Sequence, residues 1–576
     1  MLRRTLLFLF VLFALALTPA RAADQFAIVS FHDIVDFKGD LDEEAVTVDR
    51  LVGFFEWLRA NHWTTISLDD VDAARRGKKP LPEHSVLITF DDGYRSFYTR
   101  LFPLVLAYRI PVVIAVVGSW LEIPAGGKVN YGKLQVPREH FLSWDEIREM
   151  AGSGLVEFAS HSYDLHHGVL ANPQGNELPA GNARIYTPGR GYETESQFRR
   201  RIADDLTRSR DALASRLGRA PRAIAWPYGR YNAAGLDEAR KAGFEFALTL
   251  FPEPANIHEP MELSRYLPTH DPNLTTMVSN IQFHEALPNA RRLVGLNPAT
   301  LWTGDDAGTN ERLGQAIERL RTLGATAVVL DAAVIGADGR IEATWFPNRE
   351  LPMRADILSR LSWQIQSRAR VIVDLRLPSS AALATLGSPA KVRALFDDLG
   401  AQVSAGGLFI DDAPELALIP SKNSGTPWEV RAARDTVRGK DLAPSAALAL
   451  SAFKAVESYR PWLRLILVGP EAPSTGPSGL ADFTLVPIAP NARAVDRLSE
   501  RLRGLGWLAP SFARRGGLWF VGTQPPRERD LNSATRLFQR RGGSVIGWAM
   551  DDPVGDRPRA KAVESTVSAS SFPVKF

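Results

Sequence analysis

The sequence predicts an α/β protein built from two consecutive strand–helix series, and three observations lead there. In the first half, short runs rich in Val, Ile and Phe alternate with longer helical stretches, with Gly or Pro after several of them. In the second half, eight more such runs fall between residues 293 and 549, the count and span of a (β/α)8 barrel. Finally, the 576 residues are 45% hydrophobic, enough for two or three domain cores and unlike a disordered chain.

The first series has candidate strands at Phe26–Phe31, Ser85–Phe90, Pro111–Val117, Val156–Ala159, Ala223–Trp226 and Phe244–Leu250. Glu193–Leu217 carries Phe198, Ile202, Leu206, Leu213 and Leu217 near helical spacing and reads as one long amphipathic helix. Asn172–Arg190, rich in Gly, Asn and Pro, reads as a surface loop. A polar, Pro-containing stretch, Pro268–Pro288, marks the boundary. Beyond it the candidate strands are Leu293–Leu296, Thr326–Leu330, Arg370–Leu375, Gly407–Ile410, Leu463–Val468, Phe483–Ile488, Gly517–Val521 and Ser544–Ala549. Helical stretches such as Asn310–Leu323 and Pro444–Tyr459 lie between some of them, and no internal repeat is visible.

The N-terminus reads as an export signal. Arg3-Arg4 precede the apolar run Leu6–Leu17, and Ala20-Arg21-Ala22 is an A-x-A cleavage site. The apolar run is short for a membrane span of roughly 20 residues, and no later stretch is long and apolar enough to cross. Residues 1–22 are thus expected to be removed, leaving a soluble protein outside the cytoplasm. The formal charge of +3 is carried by Arg3, Arg4 and Arg21, so a chain cut after Ala22 is neutral. That argues against a nucleic-acid binder relying on bulk positive charge. There is no cysteine, hence no disulfide, zinc–thiolate site, catalytic thiol or lipid-modified cysteine. Any metal must be held by His, Asp or Glu.

Four strand ends carry chemistry. Thr89-Phe90-Asp91-Asp92-Gly93 closes the strand Ser85–Phe90. Neighbouring strand residues point to opposite faces, so two adjacent aspartates serve one site only if the chain turns there, and Gly93 permits that turn. A solvated Asp-Asp-Gly turn is the competing reading. His161-Ser162-Tyr163-Asp164-Leu165-His166 follows another apolar strand, with His167 next; three of the chain's 10 histidines fall within seven residues. On a helix the i to i+5 spacing would put the imidazoles about 140° apart, so binding one ion requires a loop. One Asp with two His makes a 2-His-1-carboxylate metal site with open positions. Trp226-Pro227-Tyr228-Gly229 offers an oxyanion the backbone N–H of Tyr228, although in isolation a plain turn is the better reading. Phe31-His32-Asp33 offers His32 as a general acid or as a surface histidine.

Together these ends suit amide hydrolysis. A metal polarises the carbonyl and lowers the pKa of water, a free carboxylate takes the water proton, and a histidinium protonates the departing amine.

These residues resemble the polysaccharide deacetylase family (carbohydrate esterase family 4, the NodB homology domain), whose first motif is TFDDG, over roughly residues 26–275. The resemblance implies a distorted (β/α) barrel, with Asp91 as general base and Asp92, His161 and His166 as ligands of one divalent ion (Zn, Co, Ni or Fe). It implies an oxyanion-hole N–H from Tyr228, and substrate-binding positions at Trp226, Pro227 and Gly229. Phe31–Asp33, Gly118-Ser119-Trp120, the spaced histidines and Trp-Pro-Tyr-Gly look like a subgroup of exported deacetylases of poly-β-1,6-N-acetylglucosamine, a biofilm exopolysaccharide. That likeness makes His32 the general acid, with His270 in reserve.

In Gram-negative members the subgroup carries a C-terminal (β/α)8, TIM-like domain related to glycoside hydrolases. Trp345–Arg349, Met353–Asp356 and Phe409-Ile410-Asp411-Asp412 are similar to its motifs, implying substrate contacts from Asn348, Arg349, Asp411 and Asp412. The implied organisation is a signal peptide at 1–22, a deacetylase domain at 23–280 and a glycoside-hydrolase-like domain at 290–576. The implied partners are the β-1,6-linked polymer and an outer-membrane export porin, with the protein free in the periplasm for want of a lipid-bearing cysteine.

Departures shape further expectations. The wider family spaces its histidines i to i+4 and has Arg in the third motif where this chain has Trp226, which predicts a looser tether on the base. A glycosidase usually needs two carboxylates; Asp411 and Asp412 could include one, and Asp331, Asp551 and Asp552 stand at plausible strand ends for the second. Aromatic groove residues are not evident in Asp374–Ser380 or Phe483–Pro490. The barrel is therefore expected to bind or scaffold polymer, with cleavage as the other reading. His62, His84 and His140 are read as structural or surface residues. Rival readings of the whole are a deacetylase of peptidoglycan or chitin-like polymers, a non-catalytic polymer-binding export factor, and a pure glycosidase.

Overall fold

The computed structural model describes residues 24–40, 43–251, 253–283, 291–411, 414–417, 419, 427–469, 478–488, 497, 515–521, 529, 533, 535–536, 545–548, 552 and 554–555. The expected export signal, Asp412 and Asp551 lie outside the described residues.

All six strands expected in the first half form, and two short ones join them. In chain order they are β1 (Gln25–Phe31), β2 (Thr64–Ile66), β3 (Ser85–Phe90), β4 (Val112–Val116), β5 (Val156–Ser160), β6 (Ala223–Ala225), β7 (Phe246–Leu248) and β8 (Ala255–Asn256). They make one sheet in the order β7-β6-β5-β4-β3-β1-β8, with β2 beside β3. Only β8 runs antiparallel, against β1. Every residue of β3 and β4 is buried, as expected of parallel strands covered on both faces. Val29, Phe31, Ile88, Phe90 and Ile114 pack on one side with Phe54, Phe55 and Phe97. Ile28, Leu87, Val113, Ala225 and Leu248 pack on the other.

The sheet curls, and the segment Leu263–Tyr266 bridges β7 and β1. Leu263 pairs with Leu248 on β7, and Tyr266 pairs with Val29 on β1. This closure makes the distorted barrel. The missed strands β2 and β8 are three and two residues long, too short to show a period.

Local chemistry sets the helix ends. In chain order the longer first-half helices are α1 (Val48–Ala60), α2 (Leu68–Arg75), α3 (Phe102–Tyr108), α4 (Trp144–Gly152), α5 (Glu195–Leu217), α6 (Ala233–Lys241) and α7 (Leu274–Ile281). The long helix α5 starts at Glu195 instead of Glu193, because Thr194 and Gln197 form a capping box. It stops at Gly218 in the left-handed conformation (φ 72°). Glu193 is instead ion-paired with Arg201.

Two expected irregular stretches carry structure. In Asn172–Arg190, Glu177–Pro179 pairs with Gly168–Leu170 and Tyr186–Thr187 pairs with Gly191–Tyr192. In the presumed boundary, α7 is capped by Asn273 and buries Met277 and Ile281 against the first core.

The second half is a closed barrel of eight parallel strands, at all eight expected places. They are β9 (Arg291–Leu296), β10 (Ala327–Asp331), β11 (Ile372–Arg376), β12 (Gly407–Ile410), β13 (Arg464–Val468), β14 (Phe483–Ile488), β15 (Gly516–Phe520) and β16 (Val545–Trp548), in sequential order. β16 closes the ring on β9, Arg291 opposite Val545. Ala327, Val329, Phe409, Ile466, Leu485 and Trp519 fill the interior. A larger apolar shell lies between strands and surrounding helices, among them α8 (Asp306–Thr322), α9 (Leu358–Gln364), α10 (Pro389–Gln402), α11 (Pro427–Thr436) and α12 (Pro444–Glu457).

The two halves meet along a polar seam. Ala233 N–H donates to the Ser458 carbonyl (2.7 Å), and Arg431 lies 3.6 Å from Glu253.

Candidate metal centre and its surroundings

Parallel register places the chemistry. Phe31 pairs with Phe90, so the residues that follow, His32 and Asp91, leave the sheet side by side; the Asp91 N–H donates to the Phe31 carbonyl (2.9 Å). Asp92 (φ 72°) and Gly93 (φ 71°) are both left-handed. This sharp turn lets two consecutive aspartates serve one site, the condition that the sequence required. A Cβ on Gly93 would press into the Val116 side chain at 2.9 Å. A non-glycine residue in this region is costly and gathers at functional sites.

Asp92, His161 and His166 meet with their ligand atoms within 4.8 Å of one another. Asp92 Oδ1 is 3.2 Å from His161 Nε2 and 3.1 Å from His166 Nε2, and this buried oxygen has no hydrogen-bond partner. Asp92 Oδ2 accepts from the Tyr131 hydroxyl (2.7 Å). His161 Nδ1 sits 2.8 Å from the Ala225 carbonyl. A carbonyl only accepts, so Nδ1 carries the proton and Nε2 keeps its lone pair. That is the second-sphere bond by which proteins fix metal-binding histidines. An orphaned carboxylate oxygen facing two imidazole nitrogens fits a divalent cation. Burial would raise the Asp92 pKa, but His166 and His161 hold it well below the usual range.

The spaced histidines sit in a loop, as the spacing demanded, and α5 holds that loop. Asp205 accepts from the N–H groups of Tyr163 (2.9 Å) and Asp164 (2.7 Å). One turn on, Ser209 Oγ meets Ser160 Oγ at 2.7 Å, and Ser160 Oγ accepts from the Ser162 N–H (3.0 Å). Ser162 takes the left-handed turn (φ 68°). Burial pushes the Asp205 carboxyl up to about 6. His167 faces outward, its Nδ1 2.9 Å from the Gly168 carbonyl.

The expectation of a loosely tethered Asp91 is corrected. Arg265 grips it bidentately, at 2.8 Å and 2.7 Å. The guanidinium is itself fixed by the Thr89 hydroxyl (3.0 Å) and the Thr249 carbonyl (3.0 Å). Arg265 reaches the base because its segment closes the sheet between β7 and β1. Burial would raise the Asp91 pKa, but Arg265 and His161 bring it down to about 2. The only sequence signal was an isolated Arg in Leu263-Ser264-Arg265-Tyr266. Tyr131 and Asp205 had no distinguishing signal.

The third motif divides. Tyr228, left-handed at φ 58°, is 40% exposed, and its ring lies 4.5 Å from that of His166. Pro227 and Gly229 are buried in the turn. Trp226, expected to contact substrate, is instead fully buried and stacked on Tyr231 (6.2 Å between centroids). Its bulk belongs to the core beneath α5 and α6. His32 is buried, with Nε2 3.6 Å from the Glu44 carboxylate and Nδ1 without a partner. The reserve candidate His270 is exposed, its Nδ1 3.1 Å from the Glu43 carbonyl.

Among the described residues, the second-half candidates do not form one cluster. Asp331, the last residue of β10, and Asp411, just after β12, lie 3.3 Å and 3.9 Å from Arg376 Nε. Asn348 and Arg349, expected to contact substrate, both make contacts within the domain. Asn348 braces its own turn, donating to Thr344 Oγ1 (2.7 Å) and accepting from the Glu350 and Leu351 N–H groups. Arg349 pairs with Asp398 on α10 at 3.0 Å. Asp552 caps a turn at Val554 and Gly555.

Comparison with known proteins agrees with this arrangement. Residues 78–247 match the family model described as polysaccharide deacetylase. Residues 300–381 match one described as hypothetical glycosyl hydrolase family 13. The chain is 36% identical over 356 residues to the poly-β-1,6-N-acetyl-D-glucosamine N-deacetylase of Escherichia coli K12, an alignment covering 61% of this chain and 53% of the relative. The chain thus spans about half the length of that curated relative. Among solved structures, the de-N-acetylase from Aggregatibacter actinomycetemcomitans is 33% identical (TM-score 0.42), with 44% of this chain and 99% of that one covered. The BpsB deacetylase domain from Bordetella bronchiseptica is 38% identical (TM-score 0.38), with 43% and 97% covered. With the matched motifs folded into a buried Asp-His-His centre beside a tethered aspartate, the chain belongs to the polysaccharide deacetylase family through its first half, and its second half is a glycoside-hydrolase-like barrel.

Proposed function

We propose that this protein removes acetyl groups from some N-acetylglucosamine units of poly-β-1,6-N-acetyl-D-glucosamine, with one divalent ion held by Asp92, His161 and His166. The observation that carries the reading is the three convergent ligand atoms next to a separate carboxylate, Asp91, kept ionised by Arg265. When bound, the ion supplies Lewis acidity, polarising the acetyl carbonyl and acidifying water. Asp91, free of the ligand set, takes the water proton. Tyr228 directs its backbone N–H at the carbonyl oxygen as charge develops there. His32 gives the departing amine its proton. The product amine is cationic near neutral pH and changes how the polymer is held.

The reading places the deacetylase domain at residues 23–280 and the barrel domain at 290–576, behind a cleaved signal at 1–22. It puts the enzyme in the periplasm, where an outer-membrane porin exports the polymer. For the barrel, binding is favoured over cleavage. Arg376 stands between Asp331 and Asp411, and a carboxylate paired with a guanidinium is a poor proton donor.

The test is a mass spectrum of β-1,6-linked N-acetylglucosamine oligomers incubated with the protein, with and without added Zn, Co, Ni or Fe. Metal-dependent loss of acetyl mass at constant chain length is expected, and Asp92→Asn should abolish it. Unchanged mass with every metal would overturn the proposal. Shorter chains from a partly deacetylated oligomer would show that the barrel cleaves.

A further inference from the structure

Beyond His166 the ring of Tyr228 continues into an open groove of about 420 Å³. Tyr228, Lys133, Glu177, Leu178, Pro179 and Trp363 line it. Trp363 comes from α9 of the barrel, and its indole is partly exposed. The groove has room because Gly168 and Gly175 also border it; a Cβ on Gly168 would already meet Glu177 at 3.1 Å.

The position of Trp363 is fixed by the seam. Gln174 Nε2 donates to the Asp356 carbonyl (2.8 Å), and the Tyr192 hydroxyl donates to its carboxylate (2.6 Å). Asn172 Nδ2 donates to Ser359 Oγ, and Arg360 to the Gln174 carbonyl, each at 3.4 Å. The first-domain side of this contact is rigid in its own right: Asn172 Oδ1 accepts from the Gln174 and Asn176 N–H groups, both at 3.1 Å.

One tyrosine beside the metal ligands, a tryptophan further out, and a carboxylate and an ammonium on the walls suit a pyranose. Its C–H face stacks on an aromatic ring, and its hydroxyl and amine groups take the charged partners. We propose that this groove is a subsite for the hexosamine unit adjoining the one being deacetylated, with Trp363 as its stacking platform and Glu177 and Lys133 as polar partners. The barrel domain then contributes a substrate-touching residue to the first domain's reaction. The inference rests on the deacetylase reading above, and it places the aromatic platform on α9, away from the barrel's strand ends.

The experiment uses the full chain loaded with a divalent metal. Acetate release is followed on β-1,6-linked N-acetylglucosamine from the monosaccharide to the hexamer, with hexamer binding measured by calorimetry. In the wild type, kcat/KM should rise with length. Trp363→Ala should raise KM for the longer oligomers about tenfold and weaken hexamer binding, while leaving monosaccharide turnover unchanged; Trp363→Phe should restore most of the loss. Equal KM at every length, or an equal loss on the monosaccharide, would overturn the subsite. Should Trp363→Ala lower Tm, the exposed Glu177→Gln decides: a KM increase confined to long oligomers supports the subsite, and no change overturns it. A wild type that binds hexamer without releasing acetate would defeat the deacetylase reading, while loss of that binding in Trp363→Ala would still uphold the groove.

Discussion

At the scale of single residues, the Asp91–Arg265 pair explains how a carboxylate stays charged with 1% of its surface exposed. Both guanidinium bonds are short, and Arg265 is fully buried. Removing one partner leaves the other charge desolvated, so Arg265→Ala should lower unfolding stability by about 3–5 kcal/mol. Urea denaturation checks this, and a loss below 1 kcal/mol would show the pair to be solvated. Arg265→Lys keeps the charge but not the fork. It should retain most of the stability while kcat falls on the order of tenfold, since the base loses its orientation.

At the scale of elements, α5 acts as a splint for the metal loop. Its apolar stripe of Phe198, Ile202, Leu206 and Leu213 faces the core, which leaves Asp205 and Ser209, four residues apart, facing the His161–His166 loop. Second-sphere bonds of this kind are typically worth 10–100-fold in metal affinity. Asp205→Ala should therefore raise the Zn Kd by roughly that factor in a chelator competition. The metal-free protein's far-ultraviolet spectrum should not change. Wild-type affinity in the variant would mean that the loop holds its shape without α5.

At the scale of the whole molecule, the barrel carries a pH liability. Asp374 on β11 is fully buried, and neither carboxylate oxygen has a hydrogen-bond partner. Burial alone pushes its pKa up to about 7. The folded-state pKa lies above the unfolded one of about 3.9. Below pH 4 both states are protonated and the penalty is absent. Between about pH 4 and pH 7 the folded state keeps a proton that the unfolded state has released. Stability falls there by up to about 1.4 kcal/mol per pH unit and levels off above pH 7. Asp374→Asn should therefore raise Tm more at pH 8 than at pH 5. An equal gain at both values would place the carboxyl's effect in packing, where it crowds Gly407: a Cβ there would lie 2.6 Å from Asp374 Oδ1.

The sequence by itself determined the long strands of the sheet and the barrel and the strand-end motifs. Runs such as Ser85–Phe90 and Gly407–Ile410 declare themselves by composition, and a doubled aspartate followed by Gly can serve one site only through a turn. These are local properties, carried by residues a few positions apart. The metal triad was legible for the same reason, because Asp92 stands just past β3 and the His161–His166 pair fills the loop just past β5. Only the tertiary structure decided which distant groups complete the site. Arg265 reaches Asp91 across 174 residues because its segment closes the sheet. Trp226 is withdrawn into the core under α5, Asn348 and Arg349 are spent on a turn and a surface ion pair, and Trp363 arrives from the other domain through hydrogen bonds to Asn172 and Gln174. Such contacts depend on strand order, register and the docking of one domain on the other, and nothing local in the chain encodes them.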